Sequence, residues 1–371
     1  MEHPGATTMT DVLIVGAGVS GLLVARELAV SGLSVRILEK GKVGRESSWA
    51  GGGILSPLYP WRVDESITAL CTWSQRYYPT LVQELREATS IDPQWFRSGL
   101  LIFGIEDRLE ADRWLALHNT PGEWLTPTKW RSLEPAVGEF PQETALLLSE
   151  VAQVRNPRLL QALRADLCKR GVLLQELEEF MEFEIRGERI VRAVSRKTSY
   201  WADHYVVAAG AWSPGILGRL PVALAVEPVK GQMLAFQAQP GLIQHILLKD
   251  DGYLIPRRDG VVLCGSTVER VRFDKRPTSE GKHQLLAFAH RLVPALSQCS
   301  QIGHWAGLRP GSPKGIPYIG RAPLVSNLYF NCGHFRNGLA MGPAAARLVV
   351  DLILNRPPVL SPEPYALTRP T

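Results

Sequence analysis

Gly16, Gly18 and Gly21 stand in the pattern G-x-G-x-x-G, and a carboxylate, Glu39, follows Gly21 by 18 residues. Such a turn sets backbone N–H groups and a helix start against a pyrophosphate, while the carboxylate accepts hydrogen bonds from ribose hydroxyls. The first glycine permits the tight turn, the second lets the anion approach the backbone, and the third lets the helix pack on the sheet. A carboxylate at Glu39 repels a 2′-phosphate, which argues against NADP. One such fingerprint occurs, so one dinucleotide is expected; the fingerprint alone does not separate FAD from NAD. A second chemistry-bearing group is Arg309, which follows the apolar Trp305-Ala306 stretch. A guanidinium there offers a planar fork for a carboxylate, and burying it without a partner is costly. The alternative is an ion pair with a structural Asp or Glu. Arg336, in a glycine-bounded loop, is placed to cap the same pocket, or lies on a surface loop. Tyr253 reads as a half-buried strand residue. His334 has no partner constellation that would make it a base.

The elements that must position these groups follow from the pattern. Asp11–Val15 is a short apolar run suited to a buried parallel strand, Leu22 to Val30 carries a helical apolar pattern, and Ser34–Leu38 is a second strand closing on Glu39. That is a complete βαβ unit. Helices are expected over Val63–Thr89, Asp107–His118, Thr126–Pro135, Ser279–Leu292 and Gly338–Leu354. Another opens at Asn156-Pro157, Asn as N-cap and Pro at the first helical position, and stops near Gly171. Strands are expected at Ser98–Gly104, from Val172 to Val207, across Val226–Gly265, and at Gln301–Leu308 and Leu328–Cys332, with a proline-rich tail as a surface strap. The central β-rich block differs from the N-terminal βαβ unit, so two interleaved domains are expected, one drawing on both ends of the chain and its middle.

Composition narrows the class. The chain has 371 residues, 45% hydrophobic and 21% charged, enough for two domains with a sizeable core. The net charge of +5 is diffuse, without the clustered basic face that nucleic acid requires. Five widely spaced cysteines without a Cys-x-x-Cys argue against a disulfide framework and against a zinc site, and no metal is expected. The N-terminus shows no signal peptide, and the apolar stretch from Val12 is too short to span a bilayer, so a cytoplasmic protein is expected.

Several segments, in this order, carry a resemblance. They are the fingerprint, Gly44 to Ile54, Ala208-Ala209-Gly210-Ala211-Trp212-Ser213, Pro228-Val229-Lys230-Gly231-Gln232, Trp305 to Gly311 and Gly333-His334-Phe335-Arg336-Asn337-Gly338. Together they resemble the D-amino-acid oxidase class of flavoproteins, and within it the bacterial glycine oxidases of thiamine biosynthesis. The match runs from about Asp11 to Leu354.

The resemblance implies non-covalent FAD and an α/β fold. A Rossmann-like FAD-binding domain would span 11–62, 149–217 and 303–371. An interleaved α+β substrate-binding domain on an antiparallel sheet would span 63–148 and 218–302. The reaction implied is oxidation of glycine or related small amines (sarcosine, small D-amino acids) to an imine that hydrolyses to glyoxylate and ammonia, with O2 becoming H2O2 in a homotetramer. By the same resemblance Val19 and Ser20 lie on the pyrophosphate loop, and Glu39 and Lys40 at the adenosine. Ser47, Ser48, Gly52, Gly53 and Ile54 line the middle and flavin end, and Phe180 meets the adenine by its backbone. His334, Phe335, Arg336, Asn337, Gly338, Leu339 and Ala340 wrap the isoalloxazine. Arg309 and Arg336 bind substrate, and Tyr253 is the active-site tyrosine. Asp251-Gly252 precede Tyr253 where some relatives carry His, which alters the pocket entrance. Other readings are a secondary-amine dehydrogenase passing electrons to a quinone, a tRNA-modifying FAD oxidoreductase, and a non-enzymatic flavin-binding subunit.

Overall fold

The computed structural model describes residues 9–138, 143–218, 220 and 222–367. Two sheets organise them. The first has six strands in the order Tyr318–Arg321, Leu328–Cys332, Ala202–Val207, Thr10–Val15, Val35–Glu39, Leu173–Glu176. Four of its five strand contacts are parallel, and only the Tyr318–Arg321 edge is antiparallel. Val12, Leu13 and Ile14 are fully buried, as the continuous apolar run requires of a strand covered on both faces. The helices Val19–Val30, Asn156–Lys169 and Gly338–Ile353 pack on one face around a core that includes Leu22, Leu163 and Ala345. Three short antiparallel strands, Phe180–Arg186, Arg189–Ser195 and Ser199–Tyr200, lie over the other face.

The second sheet has eight strands, in the order Ser300–Gly311, Glu227–Gln237, Val261–Gly265, Gly252–Pro256, Ile246–Lys249, Leu100–Phe103, Ala145–Leu148, Glu123–Leu125. It is antiparallel, as expected, with one parallel pair, Ile246–Lys249 beside Leu100–Phe103. The helix Ser279–Leu292 covers one face, with Leu285, Ala289 and Leu292 in the core.

Side-chain caps set three helix starts among the described residues. Asp64 caps Glu65–Thr89 by accepting from the Ser66 amide, and Thr126 and Thr278 cap the helices that follow them. The Asn156 expectation is corrected: Asn156 is the first residue of its helix, Arg155 precedes it as the cap position, and the Asn156 amide is engaged elsewhere. Glu65–Thr89 packs on the helical face of the six-stranded sheet through Leu70, Tyr78 and Leu81. Strand Ser300–Gly311 pairs with Glu227–Gln237 along its length, so residue 303 falls inside a strand of the larger sheet. The tail is fastened by Tyr365, whose buried hydroxyl donates to Ser66 O at 2.7 Å.

Candidate active site

At one end of the site the glycine turn leaves the first strand. Gly16 has φ +107°, and a Cβ there would lie 2.5 Å from Ala208 O. A Cβ on Gly21 would lie 2.0 Å from Gly16 O, so neither position admits another residue. Glu39 binds this turn through its carboxylate, which accepts from the Ala17 amide at 2.9 Å and from the Gly41 amide at 2.8 Å. The loop Ser47–Ile54 is tied to the helix start, since the Val19 amide donates to Ser48 Oγ at 2.9 Å.

That loop is anchored from two distant residues. Asn156 Nδ2 donates to Ser48 O and Gly51 O, both at 2.9 Å. Arg257 Nη2 donates to Gly52 O at 2.8 Å, while its Nη1 holds Gln153 Oε1 and Val154 O. Burial pushes the Arg257 guanidinium down to about 9. Gly53, at φ +81°, leaves no room for a Cβ, which would lie 2.1 Å from Val154 O.

A cavity of about 860 Å³ runs from this turn to the larger sheet. Gly16, Gly18, Val19, Ser20, Glu39 and Lys40 line one stretch, with Phe180 beside them. The Lys40 ammonium lies 3.8 Å from the Trp212 ring centroid, and burial lowers its pKa. The Phe180 ring is turned into the core, 4.4 Å from Phe183. Ser47, Ser48, Gly52, Gly53 and Ile54 line the middle. Tyr253, Arg309, His334, Phe335 and Arg336 line the far end, with Asn337, Gly338 and Leu339 at the start of the last helix. Gly21 and Ala340 stand behind this wall: Gly21 backs the turn and Ala340 is buried in the helical core.

At the far end Arg309 Nη2 donates to Ser266 Oγ at 2.6 Å, and Nη1 to Thr267 O at 3.2 Å and Lys230 O at 3.4 Å. Among the described residues these bonds leave Nε unengaged, so the guanidinium keeps donor capacity for a carboxylate beside the Tyr253 hydroxyl, with which it also interacts. Among the described residues no carboxylate forms a salt bridge with Arg309. Burial lowers its pKa, opposed by the Tyr253 hydroxyl and reinforced by the like charge of Arg336. Arg336 is exposed, stacked 5.9 Å over Phe335. Tyr253 is 8% exposed and donates to Met233 Sδ at 3.4 Å. His334 is buried with its Nε2 unpartnered, and burial pushes it down to about 4, so it is neutral near pH 7.

The entrance is built from a second cluster. Tyr59 donates to Asp250 O at 2.7 Å, and Arg62 stacks 4.1 Å over its ring while gripping Asp107 through two bonds of 2.6 Å. Hydrogen bonds from Arg62, with help from Trp61, hold the Asp107 carboxyl down at about 2. Asp251 lies on the cavity rim, and at Gly252 a Cβ would meet the Phe288 ring at 2.5 Å. Gly252 is therefore demanded by the packing of the Ser279–Leu292 helix.

The sequence reading missed Asn156 as an anchor, Arg257, Ser266 and the roles of Trp212 and Gly231. Gly231 and Trp212 lie in quoted motifs, but their partners are remote. A Cβ on Gly231 would lie 2.2, 2.3 and 2.4 Å from Arg309 Nη2, Nη1 and Cζ, so the guanidinium lies flat on this glycine.

A largely parallel sheet with a glycine turn at one end of a long cavity, and at the other a guanidinium with no carboxylate partner among the described residues, fits a dinucleotide-dependent oxidoreductase. Residues 11–352 match the family described as FAD dependent oxidoreductase, the DAO family, and the chain belongs to it. It is 45% identical over 356 residues to glycine oxidase of Pseudomonas aeruginosa, covering 96% of this chain and 98% of that one. It is 42% identical to glycine oxidase of Pseudomonas putida, with coverage of 96% and 98%. The crystal structure of glycine oxidase from Geobacillus kaustophilus superposes with a TM-score of 0.93 at 30% identity, covering 98% of this chain and all of that one. The cofactor of the family fits the donor set: helix-start amides beside Val19 and Ser20 for phosphate, the Glu39 carboxylate for ribose, and a wall long enough to reach Arg309. Among the described residues no helix is long and apolar enough to cross a membrane, and no cluster of His, Cys, Asp or Glu could hold a metal.

Proposed function

We propose that this chain is an FAD-dependent oxidase of glycine and related small amines such as sarcosine and small D-amino acids. The product is an imine that hydrolyses to glyoxylate and ammonia, and O2 is reduced to H2O2. The observation that carries the reading is the Arg309 guanidinium, which among the described residues is bonded only to neutral acceptors and which lines the same cavity as the glycine turn. The relatives' shared name, glycine oxidase, supports the substrate and the acceptor.

When bound, FAD supplies a two-electron acceptor for the hydride of the substrate Cα. Gly16, Gly18, Val19 and Ser20 would hold its pyrophosphate, with Gly21 backing the turn, Glu39, Lys40 and the Phe180 backbone its adenosine, and Ser47, Ser48, Gly52, Gly53 and Ile54 its middle. Residues His334 to Leu339 would hold the ring, with Ala340 packed behind them, the first turn of the last helix favouring negative charge there. Arg309 fixes the substrate carboxylate as a fork, and Arg336 and Tyr253 close over the substrate; fixing the acid end fixes where Cα points. No side chain is needed as a base, since the amine is oxidised in its neutral form, and His334, pushed down to about 4 by burial, is a weak base.

The domain division stated above belongs to the same proposal, with two adjustments that the sheet membership favours. Residues 303–311 go with the substrate-binding part, and Glu65–Thr89 packs with the FAD-binding part. A homotetramer, a cytoplasmic location and a role in thiamine biosynthesis complete the proposal. An oxygen-electrode screen of glycine, sarcosine, D-alanine, D-proline and L-proline tests it. Near-stoichiometric peroxide from glycine is expected; activity on none of them, or electrons passed only to a quinone, refutes the assignment.

A further inference from the structure

The acceptors beneath Arg309 are themselves held by a buried network that no catalytic role absorbs. Arg309 rests on Ser266 Oγ, Thr267 O and Lys230 O, which come from two separate segments. Lys230 belongs to the strand Glu227–Gln237, whereas Ser266 and Thr267 follow the strand Val261–Gly265. The guanidinium keeps one orientation only if those segments keep one spacing.

Glu269 joins them. Its backbone exchanges two hydrogen bonds with Lys230, of 2.8 and 2.9 Å. Its carboxylate takes the Lys230 ammonium at 2.7 Å on one oxygen. The other oxygen accepts Gln232 Nε2 at 2.7 Å and Thr267 Oγ1 at 2.5 Å. Thr267 Oγ1 in turn accepts the Gln232 amide at 3.0 Å. Gln232 is fully buried, and its remaining bonds go to Thr278 and His304. The Lys230 side chain is 3% exposed, so its charge needs the carboxylate. Partial burial raises the Glu269 carboxyl, but bonds from Lys230, Thr267 and Gln232 outweigh this and hold it below the usual carboxylate range. The Lys230–Glu269 pair is locally neutral, which leaves the charge of Arg309 for an incoming anion.

We propose that Glu269, acting with Thr267 and Gln232, is a positioning residue for Arg309: it sets the spacing of the carbonyls and hydroxyl that aim the guanidinium edge into the cavity, and so fixes carboxylate affinity. This rests on the reading of Arg309 as the substrate carboxylate's partner. Glu269 does not line the cavity, so its influence on a ligand passes through Arg309.

The test uses flavin-loaded enzyme, with acetate as an unreactive carboxylate titrated by its perturbation of the flavin absorbance. Glu269→Asp keeps every charge and shortens the reach. Thr267→Val removes one hydroxyl at nearly constant volume, and Thr267→Ser returns it. Glu269→Asp and Thr267→Val are each expected to raise the acetate Kd and the glycine KM by about tenfold, with kcat changed by less than about threefold. Flavin stays bound, and Thr267→Ser recovers most of the affinity. A merely structural role would not split KM from kcat or be rescued by the serine. Unchanged acetate Kd in both Glu269→Asp and Thr267→Val, while Arg309→Ala weakens acetate, overturns this inference and leaves the function standing. Unchanged acetate Kd in Arg309→Ala overturns the function reading, and the inference with it.

Discussion

Replacing Gly231 by alanine separates the placement of the Arg309 cation from its presence. The added Cβ would stand 2.2 to 2.4 Å from three guanidinium atoms at once. Ordinary contact begins near 3.5 Å, so the group must lift by about 1 Å. That movement stretches the 2.6 Å bond to Ser266 and the longer bonds to Thr267 O and Lys230 O. A shift of about 1 Å in a positioning group costs on the order of 10²-fold in rate, equivalent to about 2.7 kcal/mol of transition-state stabilisation. The backbone has no reason to object: Gly231 lies within a long strand and its φ is not positive, so alanine is conformationally acceptable. Flavin content and the thermal midpoint should therefore match wild type while kcat/KM for glycine, followed by oxygen consumption, falls about a hundredfold. A Gly231→Ala enzyme within about threefold of wild type in kcat/KM would refute the claim that this glycine supports the substrate grip.

Other expectations follow from the same geometry. Asn156→Ala removes two 2.9 Å bonds to the Ser47–Ile54 loop and should weaken FAD binding by roughly tenfold, read by quenching of free flavin fluorescence; unaltered affinity would mean the loop holds its shape alone. Glu39→Ala frees the Ala17 and Gly41 amides and removes the proposed ribose contact, and should cost on the order of 10²-fold in FAD affinity in the same titration. His334 titrates at about 4 in the folded chain and near 6.5 when unfolded. Below pH 6.5 the unfolded state therefore binds the extra proton, and stability drains away as pH falls from about 6.5 to 4, by up to about 3 kcal/mol. Urea unfolding at pH 7 and pH 4.5 under saturating FAD should show that loss shrinking in His334→Asn; an equal loss in both proteins would locate the pH sensitivity elsewhere. If the first turn of the last helix stabilises negative charge at the ring, the oxidised enzyme should form a tight sulfite adduct, seen as bleaching of the flavin band.

What could be read from the sequence divides by the range of the interaction. The glycine turn, the two strands around it and Glu39 form one contiguous stretch, and their chemistry is stated within it. The helix Ser279–Leu292 was legible for the same reason, and the capping by Asp64, Thr126 and Thr278 shows how local such helix starts are. Arg309 was legible because a guanidinium beside an apolar run demands an explanation wherever the chain goes. The misses all concern residues whose partner is remote. Asn156-Pro157 has the local look of a helix start, and a start it is, yet the Asn amide is used 105 and 108 residues away, on Gly51 and Ser48. Arg257 sits beside a turn and reads as solvated, yet it is buried against Gly52, 205 residues earlier. Gly231 reads as a weak point in a strand until Arg309, two positions beyond its register partner Gly307, is seen lying on it. The parallel pairing of Ile246–Lys249 with Leu100–Phe103 has no sequence mark at all, because an apolar run serves either direction. The cavity's two ends thus differ in kind. The glycine-turn end is encoded locally, and most of the residues named for it do line the cavity. The substrate end is assembled from strands whose register decides which glycine meets which arginine, and there the chemistry becomes visible only once the sheet is built.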